Sequence, residues 1–297
     1  MADGHTPRSA GRSSARADAT AGRWPRVRLP IMIGFAIGGG LLAFILSVVV
    51  ATVVAAVVAR AHGAPLQADG KFLLTLPGIA ASLITTAAVL IGAAAIAARL
   101  SRTRVGPALG LRGAPWLAFL AAGVGIVALG PTADLFVQGA TTLFPNDTHG
   151  TLAVLDGIGR RYPFWMLWPL LCLLPGMGEE IFFRGMVQRA IGRGAVAIWV
   201  SALAFATFHL DPRQIAGVLP LAFFLAWTAA RTGSTSVTIF AHVLNNTVAL
   251  ATLQLYPEAA QHEPVPWPAL VVSWAFVAGA VWLVARASPR VARAPAR

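Results

Sequence analysis

The sequence predicts an all-α, polytopic transmembrane helical bundle of about eight spans, on three observations. Of its 297 residues, 57% are hydrophobic and 11% charged, whereas about a quarter of an ordinary soluble domain is charged. Uncharged runs such as residues 31–58 exceed the roughly 20 residues with which a helix crosses about 30 Å of hydrocarbon. The runs are built of Leu, Ala and Val without a polar residue at every second position. In lipid only helices and closed barrels satisfy their own backbone, and a barrel would show that alternation.

Taken in order, residues 1–29 are rich in Ser, Ala, Gly and Arg, show no hydrophobic period, and read as a disordered basic tail. Spans are then expected near 31–58, 72–98, 116–136, 164–184, 194–210, 218–230, 236–255 and 267–285. The first run is too long for a cleaved signal and reads as a retained span. The pattern divides the chain into N-terminal helices (30–140), a core that holds the membrane-embedded polar residues (160–256), and a last helix with a basic tail (264–297).

Charge supplies the orientation. The formal net charge is +12, but the arginines lie in tails and short connections beside apolar segments, which reads as contact with membrane lipid and not with nucleic acid. Arg8 to Arg28 precede the first span; Arg99, Arg102, Arg104 and Arg112 follow the second; Arg189 and Arg193 follow the fourth. Arg231 follows the sixth, and Arg286, Arg290, Arg293 and Arg297 follow the eighth. The alternate connections carry Asp69, Asp147, Asp156, Asp211, Glu258 and Glu263, with Arg160, Arg161 and Arg213 as exceptions. Both termini of a multi-pass cell-membrane protein are therefore expected to be cytoplasmic. Cys172, the single cysteine, lies in an apolar stretch and reads as a packed thiol. Gly34 and Gly38 form a GxxxG pair that reads as ordinary helix packing. Trp116, Trp165, Trp168 and Trp267 fall near span ends, as interfacial anchors do.

Glu179, Glu180, Arg184, His209, His242 and Asn246 all fall within predicted spans. An ionised group at mid-bilayer costs roughly 3 kcal/mol on the insertion scale, so a cluster of them points to an intramembrane site. Glu180 and Arg184 are four apart, share a helix face and can pair. Glu179, turned by about 100°, points elsewhere and is free to act on water. Phe205 shares a face with His209, and His242 with Asn246.

These residues make the patterns EExxxR, FxxxH and HxxxN on three successive membrane segments. Together they resemble the CPBP family: the CAAX prenyl endopeptidase type II and bacteriocin-processing membrane proteins, also called the Abi family. The resemblance covers residues 164–255, about a third of the chain. It implies an eight-helix intramembrane endopeptidase acting on membrane-associated protein or peptide substrates, prenylated CAAX proteins among them. By this resemblance Glu179 is the base that activates water and His209 assists it. His242 and Asn246 hold the oxyanion, Glu180 with Arg184 orders the site, and Phe205 supports it. Glu179, His209 and His242 are also the residues that would hold a divalent metal such as zinc, although no HExxH helix is present.

Two other readings use the same residues. Buried Glu and His chains also serve transporters and proton relays, although no internal repeat is visible here. A non-catalytic bacteriocin-immunity scaffold would keep them for folding.

Overall fold

The computed structural model describes residues 29–63, 75–145, 151–256 and 264–288. The basic N-terminal tail, the start of the second predicted span, the acids Asp69, Asp147, Glu258 and Glu263, and Arg290, Arg293 and Arg297 lie outside the described residues. All regular structure among the described residues is helical. In chain order the helices are α1 (Leu29–Ala61), α2 (Leu76–Leu100), the single turn α3 (Val105–Ala108), α4 (Trp116–Ala128), α5 (Gly130–Leu143) and α6 (Thr151–Arg161). After them come α7 (Phe164–Ile191), α8 (Ala195–Thr207), α9 (Pro212–Thr232), α10 (Thr235–Leu255) and α11 (Trp267–Ala287).

Seven stretches among the described residues are long and apolar enough to cross a bilayer: α1, α2, α4 with α5, α7, α9, α10 and α11. The chain is a multi-pass, all-α membrane protein. The eighth expected span, 194–210, appears as the shorter α8, which returns the chain from the end where α7 finishes to the end where α9 starts. Helix α8 has only 13 residues and rises about 20 Å, short of the hydrocarbon thickness. It ends because Leu210 adopts a left-handed φ of 60°. Asp211 then accepts hydrogen bonds from the Arg213 and Gln214 backbone N–H groups and caps α9 in the opposite direction. Helix α6 is a second difference: Asp156 and Arg160, read as loop residues, pair one turn apart on an exposed helix face at 2.9 Å.

The third span is two helices end to end. Gly130-Pro131 opens α5 after a break at Leu129, and the Ser273 hydroxyl of α11 donates to the Ala128 carbonyl at that break. The fourth span extends to Ile191. Within it Leu174–Glu180 is α-helical and is flanked by wider π-helical turns, Pro169–Leu173 and Ile181–Gln188. All eight residues of the second π segment are buried, so this element is the centre of the bundle.

Around α7 the other helices are layered by small residues. Helix α1 packs on α2, α2 and α10 on α7, α8 on α9, and α4 on both α10 and α11. Large apolar side chains such as Ile37, Leu41, Val57, Val196 and Trp274 point outward, as lipid permits and water would not. Cys172 is buried, as expected. Trp116, Trp165 and Trp267 are exposed near span ends, whereas Trp168 turns inward and donates to the Thr247 hydroxyl at 2.8 Å. Gly34 and Gly38 face open space; their neighbour Gly39 is the close-packed one, with Ala93 Cβ and a Phe182 ring carbon 3.0 and 3.1 Å from where its Cβ would stand.

The contact that seats α7 on α2 is about as close and is made with backbone. A Cβ on Gly178 would lie 3.0 Å from the Ala87 Cα and 3.2 Å from its Cβ, and a backbone atom cannot swing aside. Gly178→Val is therefore expected to cost about 1–3 kcal/mol by overpacking, read as a lower midpoint of unfolding in detergent. Gly34→Val, which meets nothing within 4 Å, is expected to stay within about 0.5 kcal/mol of the parent.

Candidate active site

The site is assembled on α7, the end of α8, and α10. At its centre, the Glu180 carboxylate is fully buried beside an equally buried Arg184, with Oε1 3.1 Å from Arg184 Nη1. The contact is ionic, without the in-line N–H···O geometry of a hydrogen bond. The same Oε1 lies 3.1 Å from His242 Nδ1 on α10. A carboxylate only accepts, so Nδ1 carries the proton there and Nε2 is left for other chemistry. The Thr238 hydroxyl, one turn before His242, lies beside the carboxylate and donates to the Thr235 carbonyl at 3.0 Å.

Arg184 is held from three further directions. Its Nη2 donates to the Ala222 carbonyl of α9 at 3.1 Å. Its guanidinium lies 4.2 Å from the centre of the Phe205 ring, a cation–π contact that strengthens where water is scarce. Glu179 lies within reach of its charge. Phe205 also meets both imidazoles edge to face, at 5.2 Å from His209 and 5.7 Å from His242. One aromatic ring thus joins the cation and both histidines.

His209 follows α8 in a turn, half-buried, with Nδ1 3.1 Å from the Phe205 carbonyl. A carbonyl cannot donate, so Nδ1 carries the proton and Nε2 is the acceptor of the neutral ring. Helix α8 ends with Phe208 beside Phe183, which also packs on Phe205. Glu179 is half-buried and makes no hydrogen bond to a described residue, His209 included.

Asn246 sits one turn beyond His242. One of its Nδ2 hydrogens goes to the Leu171 carbonyl at 3.2 Å, and its Oδ1 accepts from Asn245 at 3.3 Å. The cause lies in the sequence of α7. Pro175 has no N–H to offer the carbonyl four residues back, and that carbonyl is Leu171. An α10 amide supplies the donor that the proline removes.

Sequence reasoning missed Thr238 and Gln188. Gln188 continues the Glu180–Arg184 stripe by another four residues and donates to the Ala226 carbonyl at 2.7 Å, so its spacing was a visible signal. Thr238 carried none, because threonines are common in membrane helices.

Residues 161–248 match the family model of Type II CAAX prenyl endopeptidase Rce1-like proteins. Over this segment the chain is similar to the Rce1-like family. The match encloses all three motifs and agrees with the CPBP resemblance; its description names a protease, hence a hydrolase acting on protein or peptide substrates. No curated protein and no solved structure matches the chain.

Among the described residues no group of three or more His, Cys, Asp or Glu side chains is placed to hold a metal ion. The hydrogen bonds of His242 Nδ1 to Glu180 and of His209 Nδ1 to a carbonyl leave Nε2 of each ring uncommitted.

Removing one partner of a buried ion pair strands the other, at about 3–5 kcal/mol. Arg184→Met is expected to lose stability on that scale in a detergent unfolding titration. The double variant Glu180→Gln/Arg184→Met is expected to lose less than the two single losses combined, and a strictly additive double-mutant cycle would show that the charges are not coupled.

Proposed function

We propose that the chain is an intramembrane endopeptidase that hydrolyses peptide bonds of membrane-associated proteins or peptides, with prenylated CAAX-type chains as the favoured substrate class. The observation that carries this reading is the Glu180 carboxylate held between Arg184 and His242, with Phe205 linking both histidines. It lies inside the segment that matches a protease family.

In this mechanism Glu179 is the base. Its carboxylate, half-buried and uncommitted to a hydrogen bond, takes a proton from water as the water oxygen bonds to the scissile carbonyl carbon. His209, with Nε2 open, orients the water by accepting its second hydrogen. The carbonyl oxygen becomes an oxyanion facing α10. There Asn246 has a second Nδ2 hydrogen, and His242 offers Nε2, which donates when both ring nitrogens carry a proton. Collapse of the intermediate breaks the C–N bond, and the proton held by Glu179 passes to the departing amine. Glu180 serves as a positioning residue, fixing the ring of His242 and the guanidinium of Arg184. Each step uses a side chain of residues 160–256, which on this reading form the catalytic core.

The test is cleavage of a farnesylated CAAX peptide by the full chain in detergent, followed by mass spectrometry. Glu179→Gln is expected to lower kcat by about 100-fold or more with its unfolding midpoint unchanged. Equal turnover by Glu179→Gln and the parent chain would remove the base and with it this mechanism.

We further propose that both termini and the arginine-bearing end of the bundle face the cytoplasm. Cys172 is the chain's one cysteine and is buried, so Arg231→Cys offers a single exposed thiol. A membrane-impermeant maleimide is expected to label it in inside-out vesicles and to spare it in intact cells; labelling in intact cells reverses the assignment.

A further inference from the structure

Three arginines from two stretches of chain converge on the turn between α9 and α10. The Gly233 carbonyl accepts from Arg112 Nε at 2.8 Å and from Arg189 Nη1 at 3.2 Å. Arg112 Nη2 reaches the Thr232 carbonyl at 3.1 Å, and Arg189 Nε the Ala108 carbonyl at 2.8 Å. Arg193 closes the group. A Cβ on Gly233 would stand 2.3 Å from Arg112 Nη2 and 2.4 Å from Arg193 Nη2. Those two nitrogens are therefore within about 5 Å of each other, where like charges repel appreciably. Gly233 itself has a left-handed φ of 63°, and a side chain at that position would displace both guanidiniums.

Helix dipoles account for part of this crowding, since the carbonyl end of α9 attracts cations. They do not account for its geometry. Arg112 and Arg193 are exposed, and Arg112 spends Nε and Nη2 on the backbone while Nη1 keeps two N–H donors. Their fork-shaped donors match phosphate oxygens in pairs. The turn also joins the end of one membrane span to the start of the next, so it stands at the level of lipid headgroups.

We infer that Arg112, Arg193 and the anchored Arg189 form a binding site for a phosphate group, supplied by an anionic phospholipid headgroup at the membrane surface. Arg189, tied to Ala108 and Gly233, holds the frame, while Arg112 and Arg193 bind the ligand. Such a site would join the loop after α2 to the hinge that carries α10, and with it His242, to the surrounding lipid.

Native mass spectrometry of the full chain, released from nanodiscs of phosphatidylcholine with and without phosphatidylglycerol, tests this. The parent chain is expected to retain phosphatidylglycerol over phosphatidylcholine. Arg193→Gln, which leaves both backbone bonds of Arg112 in place, is expected to lower that preference about fivefold, and Arg112→Gln/Arg193→Gln to abolish it. Arg286→Gln removes a charge that lies over Trp282 at the same end of the bundle and is expected to change nothing. Equal retention of the two lipids by the parent chain, or an equal loss in Arg286→Gln, overturns the site. A parallel arm adds inorganic phosphate to detergent-purified protein. A thermal shift from phosphatidylglycerol alone supports the lipid assignment; an equal shift from phosphate, lost in Arg193→Gln, overturns it in favour of a soluble anion.

Discussion

A carboxylate in the interior of a membrane protein has to be answered by a charge or a donor, and Glu180 is answered twice: by the Arg184 guanidinium one turn along its own helix and by the His242 Nδ1–H from α10. Each contact restricts the others. Because Oε1 faces both partners, α7 and α10 cannot slide past one another without stranding a charge in a region of low dielectric. Arg184 extends the restriction to α9 through the Ala222 carbonyl and to α8 through the face of Phe205. Four helices are thus registered by one acid. The close packing of Gly178 on Ala87 and of Gly39 on Phe182 then brings α2 and α1 against the same axis.

The backbone of α7 departs from ideal helix on both sides of this acid. Two π-helical segments bracket Leu174–Glu180, and Pro175 withdraws a donor from the Leu171 carbonyl. Asn246 supplies the replacement. One amide therefore supports the backbone of α7 while the imidazole a turn earlier on the same helix is held by Glu180. Local irregularity in one helix and side-chain order in another are a single arrangement.

Much of this was legible in the sequence, and the exceptions have physical causes. Long Leu/Ala/Val runs announce spans because hydrocarbon demands them, and six of the eight expected spans appear as single spanning segments with shifted ends. Residues 116–136 also cross, as α4 and part of α5, but the pause at Leu129 depends on how Gly130-Pro131 meets Ser273 of a distant helix. Residues 194–210 look like a span by composition; the stop at Leu210-Asp211 is a matter of dihedral angle and capping, which hydropathy does not report. The Glu180–Arg184 pair followed from spacing alone. The partnership of Glu180 with His242 did not, because it joins residues far apart in the chain whose approach is set by packing.

Helix α8 is about 10 Å shorter than the hydrocarbon it stands in. Its last turn tolerates that position because the N–H groups of Phe208, His209, Leu210 and Asp211 all find carbonyl acceptors within the turn. A short apolar helix meets such a mismatch by tilt, by local thinning of the bilayer or through its flanking residues, and here the flanking turn is the one that carries the half-buried imidazole of His209.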